Sequence, residues 1–250
     1  MKMASSSAQL DQPHLCFQSW IAQQQADLEE LLQALTIYKG DDTHLNLIVE
    51  KNIQHFQEYT EKRSILAREN ATSFFAPSWC TSLENSFLWI AGCRPSLAIR
   101  LVYSLCGSEL EAQLNEFLQG VRKGNLGELS ARQLSLVNDL QCRTIREEEK
   151  LSTQMASLQE DIADQPLLTK ANEYGLIGAS IEHVDTTLDE HALALAGILE
   201  EADKLRLSTL KELINILTPL QAADLLVAAK KLHLSIHEWG KRRDRHHGRP

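Results

Sequence analysis

Two histidines near the C-terminus, His233 and His237, are the residues whose type and spacing could most directly do chemistry. Four residues apart on a helix, both rings project from the same side, about one turn from each other. Neutral imidazole is a common protein ligand for zinc, copper, nickel and haem iron, so the pair is a candidate metal site. The alternative is two surface or half-buried histidines without a metal, because the pair lacks the glutamate of H-E-x-x-H. His246 and His247 could add ligands from the tail.

A basic cluster follows the histidine pair in a chain whose formal net charge is −9. It consists of Lys241, Arg242, Arg243 and Arg245. Such a cluster is typical of a nuclear import signal or of a contact with phosphate, and a frayed, solvated C-terminus is the alternative. We therefore predict a separate basic tail over residues 241–250.

Two aromatic residues near the N-terminus, Phe17 and Trp20, form a candidate partner-binding surface. Aromatic side chains at positions i and i+3 of a helix are good anchors for a partner groove. The alternative is burial inside a helical bundle, because the same apolar stripe continues through Leu28 and Leu35.

The motifs that carry most enzyme chemistry are missing from the sequence. It contains no G-x-S-x-G, no H-E-x-x-H and no P-loop, and no glutamate precedes a histidine by three residues. The five cysteines are not at metal-ligand spacing. The sequence therefore predicts a protein that is not an enzyme.

An apolar stretch from Phe74 to Gly107 predicts the structural centre that the other elements surround. Thr81 and Glu84 fit a capping box, and apolar periodicity continues the helix to Ala91. A second apolar helix runs from residue 97 to residue 106, where Gly107 is expected to end it. We predict a short apolar helical hairpin over about residues 81–106, as a buried hub.

Six residues are predicted to build this hub, and one of them is a cation at the turn between the two helices. Arg94 is expected to donate to helix carbonyls or to pair with a carboxylate such as Glu84. The hub residues are Trp79, Glu84, Trp89, Gly92, Arg94 and Pro95.

Long amphipathic helices are predicted on both sides of the hub. Apolar residues recur at helical spacing in five further segments, with N-terminal caps at Asp41, Ser130 and Thr218. The last helix is predicted to end near Trp239, and its apolar face comprises Leu225, Ala229, Leu232, Ile236 and Trp239. Because no segment alternates with period two, we predict an all-α fold: a single bundle of long antiparallel helices over residues 12–240, after a disordered leader over residues 1–11.

Composition excludes several other classes of protein. The 43% hydrophobic and 24% charged residues are ordinary for a globular chain of 250 residues. No apolar run reaches the roughly 18 residues that a membrane span needs, so no membrane contact is predicted. The odd cysteine count without C-x-x-C fits reduced thiols in the nucleus or cytoplasm.

Several motifs together resemble the plant Delay of Germination family. They are Glu84-Asn85, Phe87-Leu88-Trp89-Ile90, Gly92, Arg94-Pro95-Ser96, Glu147 to Lys150, Glu201 to Arg206 and Lys230 to Gly240. The same domain is known from the C-terminal half of TGA-type bZIP transcription factors. The resemblance implies a regulator of seed dormancy and abscisic-acid signalling in the nucleus, and it leaves cytoplasmic location and self-association open.

The resemblance also implies ligands and partners. It implies haem binding through His233 and His237, and protein phosphatases of abscisic-acid signalling as partners of the region around Phe17 and Trp20. Kinship with TGA factors implies an alternative function, namely a regulator of transcription with sequence-specific DNA binding. This chain has no basic region leading into leucine heptads, so direct DNA contact lacks its usual apparatus.

Overall fold

The computed structural model describes residues 12–38, 40–112, 124–164, 167–168 and 182–248, and its architecture is all-α. Within these ranges the only β pairing is an isolated bridge between Trp89 and Gly92. The helices are α1 (Gln12–Ile37), α2 (Asp42–Phe75), α3 (Ser82–Asn85), α4 (Ser96–Ala112), α5 (Ala131–Glu160), α6 (Glu182–Ile216) and α7 (Pro219–His246). The all-α prediction is confirmed.

The long helices pack antiparallel to one another in one bundle. Between α2 and α6, Gln57 accepts a hydrogen bond from Lys211, whereas Ser64 donates to Glu200. The later residue of α2 thus meets the earlier residue of α6, so the two helices run in opposite directions. The main core draws its buried apolar side chains from α1, α2, α4, α5, α6 and α7. The predicted antiparallel bundle is therefore confirmed. In the described part of the chain, no helix is long and apolar enough to cross a membrane.

Side-chain caps begin three of the long helices where the sequence predicts them. The Asp41 carboxylate accepts from two backbone N–H groups at the start of α2. Ser130 and Thr218 form complete capping boxes at the starts of α5 and α7. These caps satisfy N–H groups that have no partner within the helix, and each typically contributes about 1 kcal/mol.

The predicted hub hairpin has a shorter first helix than expected. The helix α3 ends at Asn85 and does not continue to Ala91, because the chain forms a tight turn in which Ile90 and Ala91 have φ values of 43° and 55°. The second helix, α4, continues through Gly107 to Ala112. The leader predicted over residues 1–11 lies outside the described residues.

The last helix buries the predicted apolar face only in its first half, where Leu225 is buried, and its second half turns a different side to the core. Leu232 and Trp239 are exposed, at 46% and 53% of their surface, whereas Lys230, His237 and Gly240 are buried. The helix also continues beyond Trp239 to His246. Tertiary partners explain this choice, because each of the three buried residues meets a specific contact on another helix.

Candidate functional site

The candidate site lies where α7 crosses the start of α3, and Glu84 connects the two helices. One carboxylate oxygen, Oε2, accepts from the backbone N–H of Thr81 at 2.8 Å and completes the predicted capping box. The other, Oε1, lies 2.8 Å from Nδ1 of His237. Glu84 and His237 are both buried, so this bond joins two polar groups away from water. Glu84 thus pairs with a histidine 153 residues away along the chain and not with Arg94.

Gly240 allows this close approach of α7. A Cβ atom at Gly240 would lie 2.0 Å from Oγ1 of Thr81 and 2.7 Å from its Cβ. Further along α7, Asp244 accepts a hydrogen bond of 3.0 Å from the backbone N–H of Ser82. The start of α3 is therefore held by His237, Gly240 and Asp244 of a single helix face.

His233 lies one turn before His237 and is half-buried. Burial lowers its pKa below the ordinary value, the nearby charge of Glu84 opposes this shift, and the charges of His237 and Lys230 add to it. His233 is therefore a neutral imidazole at neutral pH.

We expect His233 to make the protein less stable in mild acid. Because its pKa is lower in the folded than in the unfolded chain, the unfolded chain binds the proton more readily as the pH falls through the ordinary value of 6.5. Stability should therefore decrease as the pH falls through this value, and the stability of His233→Gln should decrease less. Urea titrations of both proteins measure the difference, and parallel pH profiles would contradict it.

The histidine pair, as packed here, does not fit a haem site with two axial histidines. Both rings belong to one side of α7, whereas two axial ligands must approach the iron from opposite faces. The ring of Phe17 lies edge-on to His237, 5.7 Å between centroids. Two surface pockets of about 530 and 490 Å³ lie elsewhere, and neither histidine lines them. No cluster of three metal-ligating side chains occurs among the described residues.

Haem binding that uses only one of the two histidines as a ligand of the iron is not excluded by this packing, so haem binding by His233 and His237 stays a prediction. If it is correct, titrating haemin into the protein should give a Soret band that shifts from that of free haemin. The band should collapse in the double variant His233→Ala/His237→Ala while the helical circular-dichroism signal persists. An unchanged band in the double variant would remove these residues from the candidate ligands.

The two aromatic residues of the predicted partner surface make contacts inside the bundle. Phe17 lies against His237, and the Trp20 ring stacks on Tyr59 at 4.4 Å between centroids. Both side chains are half-buried, so part of each ring stays accessible. Phe17 thus lies against α7 and Trp20 packs on α2, and a partner-binding role for the two residues stays a prediction.

A buried ion-pair network lies beside Trp20. The ammonium group of Lys230 donates to Asp27 at 2.9 Å and lies 5.9 Å from the centre of the Trp20 ring. Asp27 is also 2.8 Å from Nδ1 of His55. Burial lowers the pKa of Lys230, and its bond to Asp27 opposes that shift. This network joins α1, α2 and α7, and sequence periodicity did not reveal it.

The turn after α3 is held by two buried arginines that the sequence analysis missed. Arg206 donates to the carbonyl oxygens of Trp89, Ile90 and Cys93 at 2.6 to 2.9 Å. Arg63 donates to the Ala91 carbonyl at 2.7 Å. A Cβ atom at Gly92 would lie 2.9 Å from Cζ of Arg206, so the glycine leaves room for this guanidinium beside the turn.

Asp203 connects the two arginines. Its Oδ1 accepts from Arg206 at 2.6 Å, and its Oδ2 lies 3.4 Å from Nε of Arg63, an ion pair without hydrogen-bond geometry. The sequence does contain a sign of this pairing. Asp203 and Arg206 interrupt the apolar stripe of α6 between Ala202 and Leu213, where charged residues are buried only if they are paired.

The remaining hub residues contribute packing and one further hydrogen bond. The Trp79 ring stacks on His14 and meets Phe74 edge-on, and the Trp89 indole donates to Ser152 at 2.9 Å. Pro95 is buried just before α4.

Arg94 pairs with a carboxylate, as one of the two predicted alternatives has it, but the partner is Glu148 of α5 and not Glu84. Its Nε donates to Oε2 of Glu148 at 2.8 Å, but 47% of the Arg94 side chain stays exposed. Glu148 is fully buried and also accepts from the backbone N–H and the hydroxyl of Ser96 at 2.6 and 3.0 Å. The carboxylate of α5 therefore caps the start of α4.

We expect Glu148→Ala to destabilise the protein more than Arg94→Ala. Removing Glu148 leaves the N–H of Ser96 without its carboxylate partner and should cost about 2 kcal/mol, whereas the exposed Arg94 contributes about 1 kcal/mol or less. Chemical denaturation of the two variants measures the order. Equal losses would contradict the assignment of Glu148 as the cap of α4.

The predicted basic tail continues α7 as helix. Arg242, Arg243 and Arg245 are exposed, and Lys241 forms an ion pair of 3.3 Å with Glu238. The helical arrangement distributes these cations around the last turns of α7. Their role in nuclear import or in a phosphate contact stays a prediction.

The described helices form an all-α bundle that buried ion pairs hold together. A relative that is 40% identical over most of both chains shows that the chain belongs to the DOG1 family, and the family model described as "Seed dormancy control" matches residues 27–104. DOG1-like 3 of Arabidopsis thaliana is 40% identical over 98% of this chain and 89% of its own length.

Two further relatives of Arabidopsis thaliana are similar at lower identity. Transcription factor TGA6 is 28% identical over 89% of this chain and 59% of its own length. The protein named RESPONSE TO ABA AND SALT 1 is 25% identical over 89% of this chain and 90% of its own length. These matches identify the chain as a regulatory protein and confirm the resemblance that its motifs indicate.

Proposed function

We propose that this chain is a non-enzymatic regulator of seed dormancy that acts in the response to abscisic acid through contacts with other proteins. The observation that carries the proposal is the similarity to a DOG1-like protein over nearly the whole chain. A second relative is named for its response to abscisic acid and salt, and its similarity supports a role of this chain in the response to that hormone. Enzyme motifs are missing from the sequence, which supports a role through binding.

Germination tests of a loss-of-function line examine this role. Seeds that lack the protein should germinate earlier and should tolerate abscisic-acid concentrations that arrest the parent line. A transgene with the natural sequence should restore the delay. Germination curves that coincide across the whole range of hormone concentrations would contradict the proposal.

The proposed partners are protein phosphatases of abscisic-acid signalling, which would contact the N-terminal half of α1 around Phe17 and Trp20. Support comes from the family resemblance and from the accessible parts of the two rings. Calorimetric titration of a purified phosphatase should give about tenfold weaker binding with Phe17→Ala or Trp20→Ala. The matched control is Leu47→Ala on α2, an exposed side chain whose loss should change nothing. Unchanged affinity in both aromatic variants would place the contact elsewhere.

A second candidate is a nuclear regulator of transcription that binds DNA, and similarity to TGA6 favours it. The exposed cations of α7, Lys241, Arg242, Arg243 and Arg245, would serve as phosphate contacts or as a nuclear import signal. A gel shift at increasing salt, with the parent and with all four residues changed to Gln, tests DNA contact. A fluorescent fusion of the same two proteins tests nuclear location. A cytoplasmic parent that shifts no DNA would contradict this candidate.

A further inference from the structure

The outer face of α7 carries an apolar stripe that no other described helix covers. Leu232 and Trp239 are exposed, and Ile236 between them is half-buried. The opposite face, with Lys230 and His237, already contacts α1 and α3. A tryptophan more than half exposed on a regular helix is unusual, and aromatic side chains of this kind are frequent anchors of protein interfaces.

The spacing of this stripe is that of a helix-pairing seam. Leu232, Ile236, Trp239 and Arg243 are separated by four, three and four residues, which is the a and d pattern of a coiled coil. From Leu232 to Trp239 the stripe extends about 10.5 Å along the helix axis, or roughly two turns. The seam therefore fits one partner helix and is too narrow for a broad membrane-facing surface.

The charges around the seam are mainly positive. Arg243 belongs to the seam itself, and Lys231 and Arg242 are exposed beside it. Of two acidic residues in this part of α7, the exposed Glu238 lies one turn before Arg242 and pairs with Lys241, and Asp244 on the inner side accepts from Ser82. This local basic character contrasts with the formal net charge of −9 for the whole chain. A complementary partner therefore carries acidic side chains beside its apolar anchors.

We propose that the outer face of α7 is a docking surface for an amphipathic helix of another protein, with apolar residues at heptad spacing and Asp or Glu on its flanks. Trp239 and Leu232 are the apolar anchors, and Arg242 and Arg243 select the acidic flank. A regulator that acts through protein contacts needs such a surface, so this inference rests on the proposed function. The phosphatase surface around Phe17 and Trp20 is a separate contact.

A synthetic helical peptide tests the docking surface with purified protein. The probe has 21 residues, Leu at a and d and Glu at e and g, and a matched peptide has Lys at e and g. Fluorescence anisotropy should show micromolar binding of the Glu peptide and at least about tenfold weaker binding of the Lys peptide. Trp239→Ala and Leu232→Ala should each weaken binding about tenfold, whereas the control Leu193→Ala on the exposed face of α6 should not.

A charge swap distinguishes specific docking from non-specific hydrophobic binding. The double variant Arg242→Glu/Arg243→Glu should lose the Glu peptide and gain the Lys peptide. Circular dichroism checks that all variants stay helical. We expect this because the substituted side chains are exposed. Equal affinity of the parent for both peptides, or binding that Trp239→Ala does not change, would overturn the proposal.

Two other outcomes would assign the surface to a different occupant and would also overturn it. One is a dimer in sedimentation that Trp239→Ala converts to monomer, which would make the occupant a second copy of this chain. The other is binding to anionic lipid vesicles without binding to the Glu peptide. Peptide binding is measured without plants, so its failure would leave the germination result unaffected.

Discussion

Gly240→Ala is expected to destabilise the protein by about 3 kcal/mol, although alanine is the better helix former. The added methyl group would lie 2.0 Å from Oγ1 of Thr81. That hydroxyl cannot simply rotate away, since it caps the N–H of Glu84 at 3.2 Å. The helix α7 would therefore have to move, and the bond between His237 and Glu84 would weaken with it.

Gly197→Ala is the matched control for this prediction. Gly197 lies on the exposed side of α6, and nothing comes within 4 Å of a Cβ built there. The same substitution should stabilise the protein by about 0.5–1 kcal/mol, because alanine restricts the unfolded chain and favours the helix. Urea titration of both variants gives the comparison. Two changes of the same sign would show that the Thr81 contact does not determine the effect.

The long helices and their starting points could be predicted because their signals are local. A capping box needs only residues i and i+3, and amphipathic periodicity needs only one segment. Thr81, Ser130 and Thr218 therefore cap their helices in the structure as the sequence predicts. The length of α3 could not be predicted in this way. Its apolar residues continue to Ala91, but distant arginines hold the backbone of that segment as a turn.

The face that the second half of α7 buries was predicted wrongly for a related reason, whereas Leu225 in the first half is buried as predicted. Leu232, Ile236 and Trp239 form the more apolar stripe, and periodicity alone favours burying it. The structure buries Lys230 and His237, because Asp27 and Glu84 on other helices satisfy their polar groups. Partners 203 and 153 residues away in sequence decide this orientation. A single sequence does not show which charges will meet, so the candidate docking surface became visible only in the fold.

Arg206→Ala is expected to destabilise the protein by about 3–5 kcal/mol, a large part of the roughly 5–15 kcal/mol that stabilises a typical domain. The substitution removes donors from three carbonyl oxygens of the turn after α3 and leaves the carboxylate of Asp203 buried with Arg63 alone. Arg206→Lys should recover only part of the loss, because an ammonium group cannot donate along the several directions of a guanidinium fork.

The measurement is chemical denaturation together with tryptophan fluorescence, since the guanidinium of Arg206 lies 5.4 Å from the centre of the Trp89 ring. Arg143→Ala is the control, because Arg143 forms an ion pair with Glu212 in which both side chains are more than half exposed. That pair should contribute less than about 1 kcal/mol. If the two alanine variants lost similar stability, the buried arginines could not be what holds the turn, and its positive-φ residues Ile90 and Ala91 would need another source of stabilisation.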